Sequence, residues 1–410
     1  MSDIVLSASV RQNLLSLQST AELLATTQNR LSTGNKVNSA LDNPTNYFTS
    51  QSLNSRASDI SNLLDGIGNG VQVLQAANTG ITSLQKLVDT AKSIANQALQ
   101  TSSGYTSKAN VTTAAPTGAG PLSVAGTAAD LTNAGTNSLN GQALTFKTST
   151  GTLSLTISST VAAGNVNSLD AINAALTTAN VGLTASFNTA GTITFTSTND
   201  SAGQTITNSA TAPTAADAVA ISGGAAVTGL TVNAAVADAV SQATRSSLVS
   251  QYNAVLQQIQ TTSQDSSFNG VNLLNGDQLK LVFNETGKST LNIAGVTDNP
   301  TGLGLSTLAS GTDFTDNTKT NAVLASLNTA SSTLRSQAST LGSNLSIVQI
   351  RQDFSKNLIN VLQTGASNLT LADSNQEAAN SQALSTRQSI AVSALALANQ
   401  SQQSVLKLLQ

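Results

Sequence analysis

Residues Ser389 to Gln410 read SIAVSALALANQSQQSVLKLLQ. Drawn as a helix, this run carries an apolar stripe of Ile390, Ala394, Leu397, Val405, Leu408 and Leu409 that a lone helix cannot bury. At the other end of the chain Val10, Leu14, Leu17, Ala21, Leu24 and Leu31 recur at steps of four and three, the spacing of a coiled-coil seam. Pairing the two ends turns everything from about residue 41 to 375 into a loop thrown out from that pair. The reading is therefore a mainly α, elongated multilayer hairpin with terminal coiled-coil helices innermost.

Composition supports long helices over a rounded core. The 410 residues include only 3% aromatics, five Pro, and no Trp, Cys or His. Helices packed through Ala, Leu, Ile and Val need few aromatics. Without Cys or His there are no disulfides, no thiol or imidazole catalysis, and none of the usual zinc or iron ligand sets. No metal, cofactor or catalytic residue is therefore assigned. A net charge of −3 from few charged groups offers no basic field for nucleic acid. The N-terminus lacks the basic start and apolar run of a secretory signal, and no run approaches the ~20 apolar residues of a membrane span.

Three layers follow. Residues 1–40 and 376–410 form the terminal coiled-coil layer. Residues 41–101 and 236–375 form a helical rod layer with a β-hairpin, and 102–235 form an inserted, surface-exposed, β-rich α+β outer domain. The first helix ends at Gly34, and Asn38 to Pro44 reads as a linker or hinge, with an ordinary helix-to-helix turn as the plain alternative. From about Ser52 to Leu99 the helical period resumes for roughly 60 Å or more. Ile60, Leu64, Ile67, Val71, Leu74, Ile81, Val88 and Ala95 make its packing stripe. Gly66, Gly68 and Gly70 each cost about 1 kcal/mol relative to Ala inside a helix, so they read as sites of close helix approach. A phosphate loop is the alternative, but the strand that should precede it is missing.

Past Thr101 the chain turns to Thr, Ala, Ser, Gly and Asn. Leu144–Lys147, Leu153–Ile157, Leu183–Phe187 and Thr192–Thr196 alternate as half-buried strands, with Gly151 and Gly191 at turns. A short helix capped by Ser168 lies between the pairs. The flanks, containing Gly118, Gly120, Pro121, Pro213, Gly223 and Gly224, read as loops or irregular strands. Helix returns from Ala239 to about Thr262. Phe268-Asn269-Gly270-Val271 is a turn, followed by a hairpin of Lys280–Asn284 and Thr290–Ala294. A last helical region starting within Asp313–Asn328 carries Leu334, Ala338, Leu341, Leu345, Val348, Phe354, Leu358 and Val361. It breaks at Asp373-Ser374-Asn375 before the terminal helix.

Arg30-Leu31-Ser32-Thr33-Gly34, Asn38-Ser39-Ala40 with Asp42, Phe268-Asn269-Gly270, and Ala398-Asn399-Gln400 with Gln403, Val405-Leu406 and Leu408-Leu409 together resemble bacterial flagellin over roughly residues 1–101 and 239–410. The unit at 140–200 is similar to a small module often inserted in flagellins, although here it precedes Phe268 where better-known members insert after the following hairpin. The resemblance implies a structural subunit, not an enzyme, exported unfolded through the flagellar type III channel and polymerised outside the cell into the swimming filament. It implies as partners further copies of the chain, an export chaperone that takes the C-terminal helix, the export apparatus, the filament cap and the hook-filament junction proteins. A hook-filament junction protein of the same superfamily is the alternative. A fibre or adhesin would share the Thr-rich insertion without the paired terminal seams.

One further position set comes from the resemblance. Flagellins recognised by the vertebrate Toll-like flagellin receptor display Gln-Arg-Val-Arg-Glu-Leu-Ala on the long helix and a glutamate on the adjacent one. The matching residues here are Gln85-Lys86-Leu87-Val88-Asp89-Thr90-Ala91 and Gln251. Lys86, Asp89, Thr90 and Gln251 thus depart from the contact pattern, since lysine lacks the planar arginine fork and Gln251 lacks the charge.

Overall fold

The structure, a computed structural model, describes residues 8–113, 131, 140–158, 160, 162–187, 192–215, 218–223 and 229–408, apart from the side chains of 9, 402 and 405–408. In chain order the first elements are α1 Ala8–Thr33, α2 Pro44–Gln100, β1 Tyr105–Ser107, β2 Asn110–Thr112, β3 Ala143–Lys147, β4 Thr152–Ile157 and β5 Asn165–Val166. Then follow α3 Leu169–Thr178, β6 Leu183–Phe187, β7 Ile193–Ser197, β8 Thr205–Asn208, β9 Ala218–Gly223, β10 Thr231–Asn233 and β11 Val236–Ala237. The last are α4 Ala239–Asp265, β12 Gln278–Val282, β13 Thr290–Ala294, α5 Asn317–Thr370 and α6 Ser374–Leu408. The chain is mostly helical, with helices at both ends and a β-rich centre. It divides into two compact units: Met1–Gln72 with Leu279–Ile293 and Asn344–Gln410, and Val73–Gln278 with Ala294–Ser343.

In the first unit α1 packs along α6, and α2 meets α5 through a small cluster of Ala57, Ile60, Ile359 and Leu362 flanked by Leu53, Leu64 and Leu358. Helix α2 starts at Pro44, not near Ser52. Asn43 Oδ1 accepts the N–H of Asn46 at 3.1 Å, and proline suits the first helical position, where no N–H partner is needed. The residue read as part of a linker is the helix start. Along α5 the buried line runs through Val348, Ser355, Ile359 and Leu362, while Phe354 and Val361 are exposed.

The second unit holds the inserted region. Strands β10-β2-β7-β6 form a four-stranded antiparallel sheet, and β5-β4-β3-β9-β8 a five-stranded mixed one. Side chains of both sheets and of α3 share one core, in which Phe146 and Phe195 meet edge to face at 5.1 Å. The anticipated pairs β3–β4 and β6–β7 form, and Ser168 caps α3 by accepting from the N–H of Ala171. Each pair joins a different sheet.

Of the two alternatives for the flanks, loops or irregular strands, the second is found: they supply β1, β2, β8, β9 and β10, and β11 follows just after them. These strands are two to six residues long, and Ala218 to Ile221 are buried on both faces. A strand buried on both sides has no alternation for a sequence reading to find. Gly118, Gly120, Pro121, Gly191 and Gly224 lie outside the described residues.

In the same unit Phe268 and Val271 exchange both backbone hydrogen bonds at 3.0 Å across Asn269 (φ 50°) and Gly270 (φ 81°). This is the left-handed pair that an Asn-Gly turn supplies at least cost. In the hairpin that follows, the first strand lies two residues earlier than expected.

The helix glycines need correcting. A side chain at Gly66 would meet nothing, and one at Gly68 would reach only Gln352, at 3.9 Å. At Gly70 it would collide with Leu281 of β12. Close approach is thus real at one of the three, and the neighbour is a strand. Gly80, not singled out by sequence, is pressed by Ser266 and Leu274.

Candidate assembly interface

The joints at the ends of α1 and α6 are pinned to each other. Gly34 (φ 71°) accepts the N–H of Ala372 at 2.9 Å, and Lys36 donates its N–H to Thr370 at 2.7 Å. Between them Asn35 and Leu371 form an antiparallel bridge. Asp42 Oδ2 accepts the N–H groups of Asn38 and Ser39, each at 2.9 Å, and these bonds hold its carboxyl below the usual range. Arg30 Nη1 stands 3.5 Å from Glu377 Oε1 at the mouth of the pair. Sequence placed a hinge here; the geometry is a backbone-bonded corner.

From this corner α1 and α6 run together on faces offset from those assigned by the apolar pattern. On α1 the more buried positions are Val10, Asn13, Leu17, Thr20, Leu24, Thr27 and Arg30; on α6 they are Glu377, Ser381, Leu384, Gln388, Ala391, Leu395 and Ala398. Both sets keep the three-four spacing. The anticipated seam shares Val10, Leu17 and Leu24 with this face. Elsewhere it sits one residue away: Leu14, Ala21 and Leu31 instead of 13, 20 and 30, and Ile390, Ala394 and Leu397 instead of 391, 395 and 398. One residue is ~100° around a helix.

The displaced residues are exposed, Ile390 by 65% and Leu397 by 70%, together with Leu15 (66%) and Leu23. The side chains of Val405 and Leu408, and Leu409, lie outside the described residues. Arg30 Nε and Glu377 Oε2 are buried without a hydrogen-bond partner, whereas part of the polar inward face is bonded within its own helix. Thr20, for example, bonds the Ser16 carbonyl one turn back at 2.8 Å, leaving its methyl group to pack. The apolar side chains are consequently left for a second face.

The first unit exposes a further stripe on α5. Ile347, Ile350, Phe354 and Val361 repeat at three, four and seven residues, and Leu41 and Phe48 are also open. The sequence reading named Phe354 and Val361 among the residues of this helical pattern. Of the residues read as rod packing, Ile60, Ile67, Val71, Leu74, Ile81 and Val88 are buried and Leu64 is half-buried. Lys86, Asp89, Thr90 and Gln251 are all exposed.

In the second unit a single arginine joins three segments. Arg245, 1% exposed on α4, donates to the carbonyls of Ser102 (3.0 Å), Thr101 (2.9 Å) and Phe314 (2.5 Å). The first two carbonyls lie just past the end of α2, where helix acceptors lack partners and the dipole favours a cation. Burial lowers the Arg245 pKa, opposed by Asp316. Phe314 holds φ 54° in full burial and meets Tyr252 edge to face at 6.0 Å; burial pushes the Tyr252 phenol up to about 12. Nearby, β1 pairs with β11, and Asp238 donates its N–H to Gly104, so the inserted region enters and leaves at one place. No sequence signal marks Arg245, because its partners are carbonyls 69 to 144 residues away.

Among the described residues no helix is long and apolar enough to cross a membrane, and no group of three or more His, Cys, Asp or Glu is placed to hold a metal.

The bacterial flagellin N-terminal helical region matches residues 5–116, and the bacterial flagellin C-terminal helical region matches residues 324–409. The chain belongs to the bacterial flagellin family. Flagellin FljK of Caulobacter vibrioides is 31% identical over 163 residues, covering 39% of this chain and 58% of that protein. Flagellin FljM of the same organism is 32% identical over the same length, and Flagellin A of Rhizobium meliloti is 36% identical over 87 residues, 21% of this chain and 22% of its own. The chain thus spans under two thirds of these relatives. The two matched regions contain the pinned corner and nearly all of α1, α2, α5 and α6.

Proposed function

We propose that this chain is the structural subunit of a bacterial flagellar filament, built from many copies held by their terminal helices. The observation that carries this is the division of faces on α1 and α6: the inward one satisfies the single chain, and the outward one leaves Leu15, Leu23, Ile390 and Leu397 uncovered. An exposed apolar stripe of this kind marks a contact surface, and repeated contacts between unlike faces give an open helix of subunits.

The terminal pair is read as a coiled coil completed by neighbours. On this reading the 1–40 and 376–410 layer lies at the filament centre and the 102–235 region at its surface. Export proceeds unfolded through the type III channel, with a chaperone holding α6 until then. The cap and the junction proteins meet the same faces at the two ends of the filament, outside the cell. Lys86, Asp89, Thr90 and Gln251 make the chain a weak ligand for the Toll-like flagellin receptor.

Seeding purified protein and viewing it by negative-stain microscopy tests the reading. Long uniform filaments support it. Short zones that stop growing would favour the hook-filament junction alternative, and persistent monomers would defeat both.

A further inference from the structure

The sequence holds four Asn-Gly pairs: Asn69-Gly70, Asn140-Gly141, Asn269-Gly270 and Asn275-Gly276. Such a pair can react with itself, because the glycine nitrogen and the asparagine Cγ close a five-membered ring and glycine carries no Cβ to hinder it. Folding decides which pair is free to do so. Gly70 sits inside α2, with its N–H in the helix ladder. Gly141 donates its N–H to Ile157 at 2.7 Å, and Asn275 is paired with Thr297 in an antiparallel bridge. Asn269 and Gly270 are both exposed, and nothing lies within 4 Å of where a Gly270 side chain would start. Among the described residues neither the Asn269 carboxamide nor the Gly270 N–H has a hydrogen-bond partner.

We propose that Asn269-Gly270 is a self-modification site, at which Asn269 is converted to aspartate and isoaspartate. The Gly270 nitrogen bonds to Asn269 Cγ as the bond from Cγ to the side-chain amino group breaks, and the proton from Gly270 leaves with that group as ammonia. Water then opens the ring at one carbonyl to give aspartate or at the other to give isoaspartate. The step uses no oxidant, metal or catalytic side chain.

The attack requires the peptide between Asn269 and Gly270 to rotate, which the two Phe268–Val271 hydrogen bonds oppose. Those bonds are local and exposed, so they slow the reaction by about ten- to a hundredfold, whereas Gly70 is released only when a long helix opens. Aspartate still fits the left-handed position. Isoaspartate routes the main chain through Cβ and lengthens the path from Phe268 to Val271, so both of their bonds cannot be kept. The change reaches α4, because Asn272, next along the chain, donates its side-chain amide to the carbonyls of Ser263 and Gln264 at the end of that helix, each at 2.8 Å. The product is a chemically marked subunit with a loosened turn beside α4.

Peptide mapping of the full-length protein held in mildly alkaline buffer, native or unfolded in guanidinium chloride, tests the site. In the unfolded chain all four pairs should convert at comparable rates. In the native monomer Asn269 should convert first, within about a hundredfold of its unfolded rate, while Asn69 and Asn140 should be slowed further. Another pair converting first, or Asn269 protected as strongly as Asn69, would overturn the proposal. Faster amide exchange at Val271 in the isoaspartate form supports the loosened turn, and unchanged exchange there defeats it.

Discussion

Arg245 Nη1 donates to the carbonyl of Phe314 at 2.5 Å, while the same guanidinium holds the two carbonyls that end α2. Three segments distant in sequence depend on one side chain. Arg245→Met keeps the bulk and strands three buried acceptors, which should cost roughly 2–5 kcal/mol. Arg245→Lys should recover only part, because an ammonium cannot reproduce the fork. Urea unfolding followed by near-ultraviolet dichroism of Tyr252 reads both, and a loss below about 1 kcal/mol in the methionine variant would show that the clasp is not structural.

Gly270 sits at φ 81° with nothing within 4 Å of where a side chain would start. Gly270→Ala therefore isolates backbone strain from crowding and should destabilise by about 1–2 kcal/mol. Asn269→Gly should be nearly neutral, since glycine also accepts positive φ. The same unfolding curves measure both.

Asp42 has a folded pKa below its ordinary value because its carboxylate accepts two backbone N–H groups. Its contribution to the corner is present above the unfolded value of 3.8 and is lost as pH falls through that value toward the folded one. Exchange of the Asn38 and Ser39 amides should accelerate on acidification below about pH 4 in the native protein. In Asp42→Asn it should already be fast and insensitive to pH.

Leu397→Asp and Leu24→Asp should separate two faces of the terminal pair. Leu397 is exposed, so its replacement should leave the monomer's helicity unchanged while abolishing seeded filament growth, a carboxylate in a dry contact costing several kcal/mol. Leu24 is half-buried on the inward face, and its replacement should reduce monomer helicity as well as assembly. Filaments from the Leu397 variant would remove the outward face from the assembly surface.

Deleting 102–235 and joining the ends would discard the Ser102 and Gly104 carbonyls that hold Arg245, Gln242 and Asp238. Deleting 108–234 keeps them, together with the β1–β11 pairing, and should preserve unfolding cooperativity and filament growth with a thinner filament. The longer deletion should lower the melting temperature relative to the shorter one, and equal values would contradict the anchoring role.

Much of this fold was legible locally. Val10, Leu17 and Leu24 announced a helix at the start, Asn269-Gly270 a tight turn and Ser168 a cap, because spacing, φ preference and capping act within a few residues. Burial of Ile60 to Val88 followed from their period. Which face of α1 meets α6 did not follow from apolar pattern. A pattern records where apolar side chains lie, whereas the corner at Gly34, Asn35, Thr370 and Ala372 is held by backbone groups that no side-chain pattern records. The clasp of Arg245 was likewise decided only by the tertiary structure. Its partners are carbonyls brought close by folding, and every residue carries one, so no residue type in the sequence can announce them.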